Sequence, residues 1–83
     1  MVMLTNYINA AMGHGTFEKL DSGEWYGEIP ETPGVWATGT TFEAARDELL
    51  SVLEGWIILG LREGQTLPAI DGIDVTPALP KAS

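Results

Sequence analysis

The chain contains no cysteine, a single histidine and only four basic residues in 83. Without cysteine there is no disulfide framework, no thiolate zinc site and no thiol nucleophile. One histidine excludes a multi-histidine metal centre and any mechanism that needs two imidazoles. Twelve acidic residues against four bases leave a formal charge of −8 and a pI near 4.2. A surface of that sign is a poor direct ligand for phosphate backbones, since Lys and Arg carry most nucleic-acid affinity, and no direct DNA binding is expected. The longest purely apolar run, Trp56-Ile57-Ile58-Leu59, falls far short of the ~20 residues that cross a bilayer. Met1 to Asn6 has neither a basic start nor an extended apolar segment, so no secretory leader and no membrane association are expected, and the predicted location is cytoplasmic.

What is present describes a folded domain. Hydrophobic residues make up 45% of the chain and charged residues 19%, too apolar a balance for disorder. A chain of this mass buries roughly 8,100 Å² on folding by surface scaling. With about 60% of it apolar, at ~25 cal/mol/Å², the gain is about 120 kcal/mol. Ordering the chain at ~1.5 kcal/mol per residue costs about 125 kcal/mol. The terms nearly cancel, so self-association, as a dimer or tetramer, is the expected further source of stability.

The pattern predicts an α+β fold. Leu4, Tyr7, Ile8, Ala11 and Met12 recur at helical spacing, and Gly13-His14-Gly15 stops that helix. Three short strand-like runs follow, at 16–21, 24–29 and 35–38, separated by Ser22-Gly23 and by Glu31-Thr32-Pro33-Gly34, which predicts an antiparallel meander. Thr40-Thr41-Phe42-Glu43 reads as a capping box opening a long helix that Gly64 and Pro68 end. Phe42, Ala45, Leu49, Leu53, Trp56 and Gly60 form its central stripe. Val52 and Leu59 widen the stripe on one side, and Leu50, Ile57 and Leu61 on the other, giving an apolar arc of roughly 200°, wider than one sheet requires. Either a snug core or a second subunit accounts for the excess, and the near-cancelling free energies favour the second. Leu50, Ile57, Leu61 and, from the opposite arc, Ile58 are the residues expected at that contact. Ile73 and Val75 predict a short C-terminal strand, so residues 1–76 make one domain and 77–83 a proline-containing tail.

No catalytic constellation emerges, and the chain is expected not to be an enzyme. Glu18 and Glu28 lie on neighbouring predicted strands, with Asp21 and Glu24 at the turn between them, where solvated charges are ordinary. His14, between glycines, has no serine or carboxylate at suggestive spacing and reads as an exposed, idle side chain. Gly13-His14-Gly15 has no strand before it and no lysine after it, so it is not a phosphate loop. Neither a metal nor a cofactor is implied.

The segment Tyr26-Gly27-Glu28-Ile29-Pro30-Glu31-Thr32-Pro33-Gly34-Val35-Trp36-Ala37-Thr38-Gly39 resembles the HicB-like antitoxin family. The threonine cap, Glu43-Ala44-Ala45 and the helix with Leu49 and Trp56 continue the resemblance, which covers residues 16–70. It implies a partial ribonuclease-H-like fold without that enzyme's catalytic carboxylates. It also implies a partner, a small basic HicA-type mRNA-cleaving toxin whose RNA-binding surface the antitoxin covers. Eight of the twelve acids lie between Glu18 and Glu48, a charge suited to steering toward a basic surface. Trp25, Tyr26, Glu28, Glu31 and Trp36 are the residues expected to touch the toxin, aromatics as anchors and acids against basic groups. The remainder after Gln65 is too short and proline-punctuated for the DNA-binding domain many members carry. The alternatives are a solitary homo-oligomeric regulatory or structural protein with another protein or small-molecule partner, and a nuclease.

Overall fold

The computed structural model describes residues 2–73, with side chains from Leu4 onward. Helix α1 (Val2–Gly13) leads into strands β1 (Thr16–Lys19), β2 (Trp25–Glu28) and β3 (Trp36–Gly39), and helix α2 (Phe42–Arg62) follows. The strands form an antiparallel sheet in chain order, with Phe17 opposite Gly27 and Gly27 opposite Ala37. The α+β architecture is thus the expected one, a meander with a long helix across it. Of the expected last strand only Ile73 lies among the described residues. Ile70 and Ile73 exchange both backbone hydrogen bonds around Asp71-Gly72, whose φ values of 52° and 78° make a tight primed turn. Val75, and the boundary placed after residue 76, lie outside the described residues.

Local chemistry explains each join. The β1–β2 hairpin closes through Leu20 N–H to Glu24 O, with Gly23 at φ 95° supplying the left-handed residue of a three-residue loop. Thr41 caps α2, its Oγ1 accepting from Ala44 N–H at 3.0 Å. The bond therefore falls one position beyond Glu43, and the reciprocal capping box read from the sequence is replaced by a threonine cap with Glu43 in the positive first turn. At the other end Gln65 N–H reaches Gly60 O and Gly64 N–H reaches Leu61 O, with Gly64 at φ 72°, which satisfies the last carbonyls.

The core lies between α2 and one sheet face. Tyr7, Ala11, Ile29, Val35, Ala37, Leu49, Leu53, Ile57, Leu67 and Ile70 are buried in it. On α2 the buried line is Ala45, Leu49, Leu53, Ile57 and Gly60, so the stripe is rotated from the expected one. Ile57 replaces Trp56 at its centre, while Phe42 is 38% exposed. The reason is α1, which packs beside α2 and supplies a second wall at Ile57; Leu67 packs over Gly60 at the far end. The excess apolar arc is therefore covered largely by the chain's own helix. Ile57 belongs to the core, and Leu50 and Leu61 are half-buried; of the four residues expected at a subunit contact, only Ile58 stands clear of the protein.

His14 is far from idle. Its Nδ1 lies 2.9 Å from Glu31 Oε2, in the β2–β3 turn, and its Nε2 2.8 Å from Asp71 Oδ1. One imidazole thus joins the end of α1, the middle hairpin and the Ile70–Ile73 turn, and Tyr7 Oη donates to Pro68 O at 2.7 Å. The hydrogen bond to Asp71, with both nearby carboxylate charges, raises the His14 pKa above its ordinary 6.5, against a smaller opposing loss of hydration.

The close strand–helix join and the imidazole bridge are each open to measurement. A β-carbon on Gly39 would sit 2.4 Å from the Ala45 backbone nitrogen, so Gly39→Ala should lower the thermal midpoint sharply, by about 2–4 kcal/mol of stability in urea unfolding. Because the folded His14 pKa is raised, its contribution is full below pH 6.5 and is lost as pH rises through the folded value. Urea midpoints should therefore fall between mildly acidic and alkaline pH in the native chain, and His14→Gln should flatten that dependence.

Candidate functional site

The strand register divides the sheet's side chains into two sets. Phe17, Lys19, Trp25, Gly27, Ala37 and Gly39 share the face toward α2. Thr16, Glu18, Tyr26, Glu28, Trp36 and Thr38 share the opposite face, on which none of the described elements packs. That second face is the candidate site.

Its centre is aromatic. Tyr26 and Trp36, diagonal neighbours on adjacent strands, stack with centroids 6.1 Å apart and planes 27° from parallel. Trp36 remains 54% exposed, the most exposed aromatic side chain described. Tyr26 Oη donates to Glu28 Oε1 at 2.8 Å, which orients that carboxylate at the rim of the platform. This hydrogen bond, followed by partial desolvation and the charges of Glu28 and Glu18, raises the Tyr26 pKa above 10.0, so the phenol stays a donor at physiological pH. Glu18 lies across from Tyr26 in the register and adds a second carboxylate. Neither Glu18 nor Glu28 is ion-paired with a described residue. An aromatic plane flanked by carboxylates without a described ion pair is chemically suited to ammonium and guanidinium groups, through cation–π contact and charge-assisted hydrogen bonds. Among the described residues no three acidic or imidazole side chains are grouped to hold a metal ion.

The structure thus brings together three of the five residues expected at a partner surface: Tyr26, Glu28 and Trp36. It separates the other two. Trp25 projects to the covered face and packs edge-on against Phe42, with centroids 5.6 Å apart, in line with the Phe17–Phe42 contact. Glu31 is held by His14, and its second oxygen, Oε1, is enclosed without a donor among the described residues. Glu18 is the acid that sequence reasoning left out of the set. Its place follows from strand alternation once the Ser22-Gly23 hairpin fixes the register, a signal available in the sequence. Thr32 is wholly buried in the β2–β3 turn, where its Oγ1 lies 3.4 Å from Ile29 O, and it holds the turn rather than the site.

Comparison with known proteins gives the scaffold a context. No curated protein matches the chain. A solved protein from Thermus thermophilus, TTHA0281, is similar over 88% of this chain and 91% of its own, with 36% identity and a TM-score of 0.84. A family model described as UPF0150-like matches residues 6–68, which takes in most of α1, the whole sheet, α2 and Leu67 above Gly60. With that match across most of its length, the chain belongs to the UPF0150-like family.

Proposed function

We propose that this chain is a non-catalytic binding protein of the HicB-like antitoxin kind, which neutralises a small basic HicA-type mRNA-cleaving toxin by covering its RNA-binding surface. The observation that carries the reading is the uncovered sheet face, where Trp36 stacks on Tyr26 between the carboxylates of Glu18 and Glu28. Its signs and shapes suit a basic surface that ordinarily receives phosphate and bases. The net charge of −8 adds long-range attraction, raising the encounter rate and making binding salt-sensitive. Family membership and the Pro-Glu-x-Pro-Gly resemblance support the same reading. The protein would act without cofactor. It would also act without touching DNA, since the described bases are dispersed, Lys19 at the end of β1 and Arg46 and Arg62 sixteen residues apart on α2.

The test is co-expression of the full chain with the short basic reading frame beside its gene, followed by co-purification and an RNA-cleavage assay. A stable complex with cleavage suppressed is expected. Trp36→Ala combined with Glu28→Gln should weaken that complex by roughly 30- to 1,000-fold, about 2–4 kcal/mol, with unchanged circular dichroism. Trp25→Phe, on the covered face, should leave affinity unaltered. Failure to form a complex, or a complex indifferent to Trp36 and Glu28, would leave a homo-oligomer with another partner as the better account.

A further inference from the structure

The outward side of α2 carries a second surface, opposite the sheet face and independent of the toxin reading. Ile58 and Leu59 are adjacent and 58% and 54% exposed. Between Ile58 and α1 an apolar hollow of about 210 Å³, lined by Leu4, Ile8, Ile57, Ile58 and Glu54, extends the same patch. Beside them, at mid-helix, is Gly55. A β-carbon there would meet nothing within 4 Å. None of the described residues therefore gives a reason for a glycine, which weakens a helix relative to alanine. A close approach by another backbone would give one.

The charges around Gly55 say which backbone. At 100° per residue, Glu48, Ser51, Gly55, Leu59 and Arg62 fall within a sector of about 80° on the side away from the core line. All five are exposed. Their spacing is symmetric about Gly55. Glu48 and Arg62 each lie seven residues away, about 10.5 Å along the axis in opposite directions. Ser51 and Leu59 each lie four away. A second copy of the helix laid antiparallel across a twofold axis at Gly55 thus sets Glu48 against Arg62 twice, and Ser51 against Leu59 twice, with the two glycines in contact. Neither Glu48 nor Arg62 is ion-paired with a described residue. Small residues at the crossing let helix axes approach to about 8 Å, at the close end of the usual range. A parallel pairing would oppose like charges instead.

We propose that two copies of this chain associate through α2, antiparallel about a twofold axis at Gly55, with Ile58 and Leu59 as the apolar contact and Glu48–Arg62 as the pair that fixes register. This is an isologous interface, so every contact occurs twice. It places the two sheet faces on opposite outer sides of the dimer, leaving both Trp36 platforms free. One dimer would then present two equivalent partner sites.

Sedimentation equilibrium on the full chain tests this, with circular dichroism and thermal melts on every variant. The wild type should have a dimer's mass. Gly55→Leu meets none of the described residues and raises helix propensity, so it should yield a monomer of intact or greater helicity. Glu48→Arg and Arg62→Glu should each raise the dimer dissociation constant about tenfold, because each reversal turns two attractive pairs repulsive. The double reversal should restore it to near the wild-type value, an outcome particular to this register. A wild type that stays monomeric at high concentration overturns the proposal. So does an oligomer whose mass is unmoved by Gly55→Leu, or charge reversals that fail to compensate.

Discussion

The rest of the structure depends on how closely the start of α2 lies against the end of β3. Gly39 has no side chain because the helix backbone occupies that space, 2.4 Å from where a β-carbon would stand. Only a glycine permits so short a turn from strand to helix, and Thr41 begins the helix two residues later by bonding Ala44 N–H. Gly27 repeats the device in the middle strand, where the Phe17 ring fills the vacancy above it. These two positions set α2 across one face of a three-stranded sheet. The opposite face is left bare of the described elements, and every feature of the candidate site follows from that asymmetry.

The division of labour between the two faces has a simple energetic basis. The covered face uses small and aromatic residues, Ala37, Phe17 and Trp25, to fill the space below the helix. The bare face uses alternate positions of the same strands, so its Tyr26 and Trp36 contact one another, and Tyr26 bonds Glu28, with no described element packed over them. An exposed indole beside ordered carboxylates is unfavourable in an isolated protein and favourable in a complex. The outward side of α2 shows a similar imbalance, with Ile58 and Leu59 exposed beside an open glycine surface. The fold is thus a thin two-layer body whose two outer sides each carry apolar surface.

Holding so thin a body together falls to its periphery. The N-terminal helix closes one flank at Ile57, Leu67 closes the end at Gly60, and His14 ties the first helix, the middle turn and the Asp71 turn with two short bonds. Side chains distant in sequence meet here because the chain's first helix and last described turn lie on the same side of the sheet. The two carboxylates raise the pKa of the imidazole held between them, which makes this corner of the fold sensitive to pH.

By itself the sequence determined the local elements: two helices, three strands in meander order, the threonine cap and the glycine stop. Those rest on spacing and backbone chemistry within a few residues, and they are legible without neighbours. It also singled out Tyr26, Glu28 and Trp36, but in one set with Trp25 and Glu31 and without dividing that set between the two sheet faces. Only the tertiary structure decided the rest. It turned Trp25 onto the covered face and drew Glu31 to His14. It moved Ile57 from the expected outer contact into the core, exposed Leu59, and left Gly55 without a neighbour among the described residues. Each of these depends on which elements share a space, and a wide apolar arc on one helix does not reveal whether α1, the sheet or a second chain will cover it.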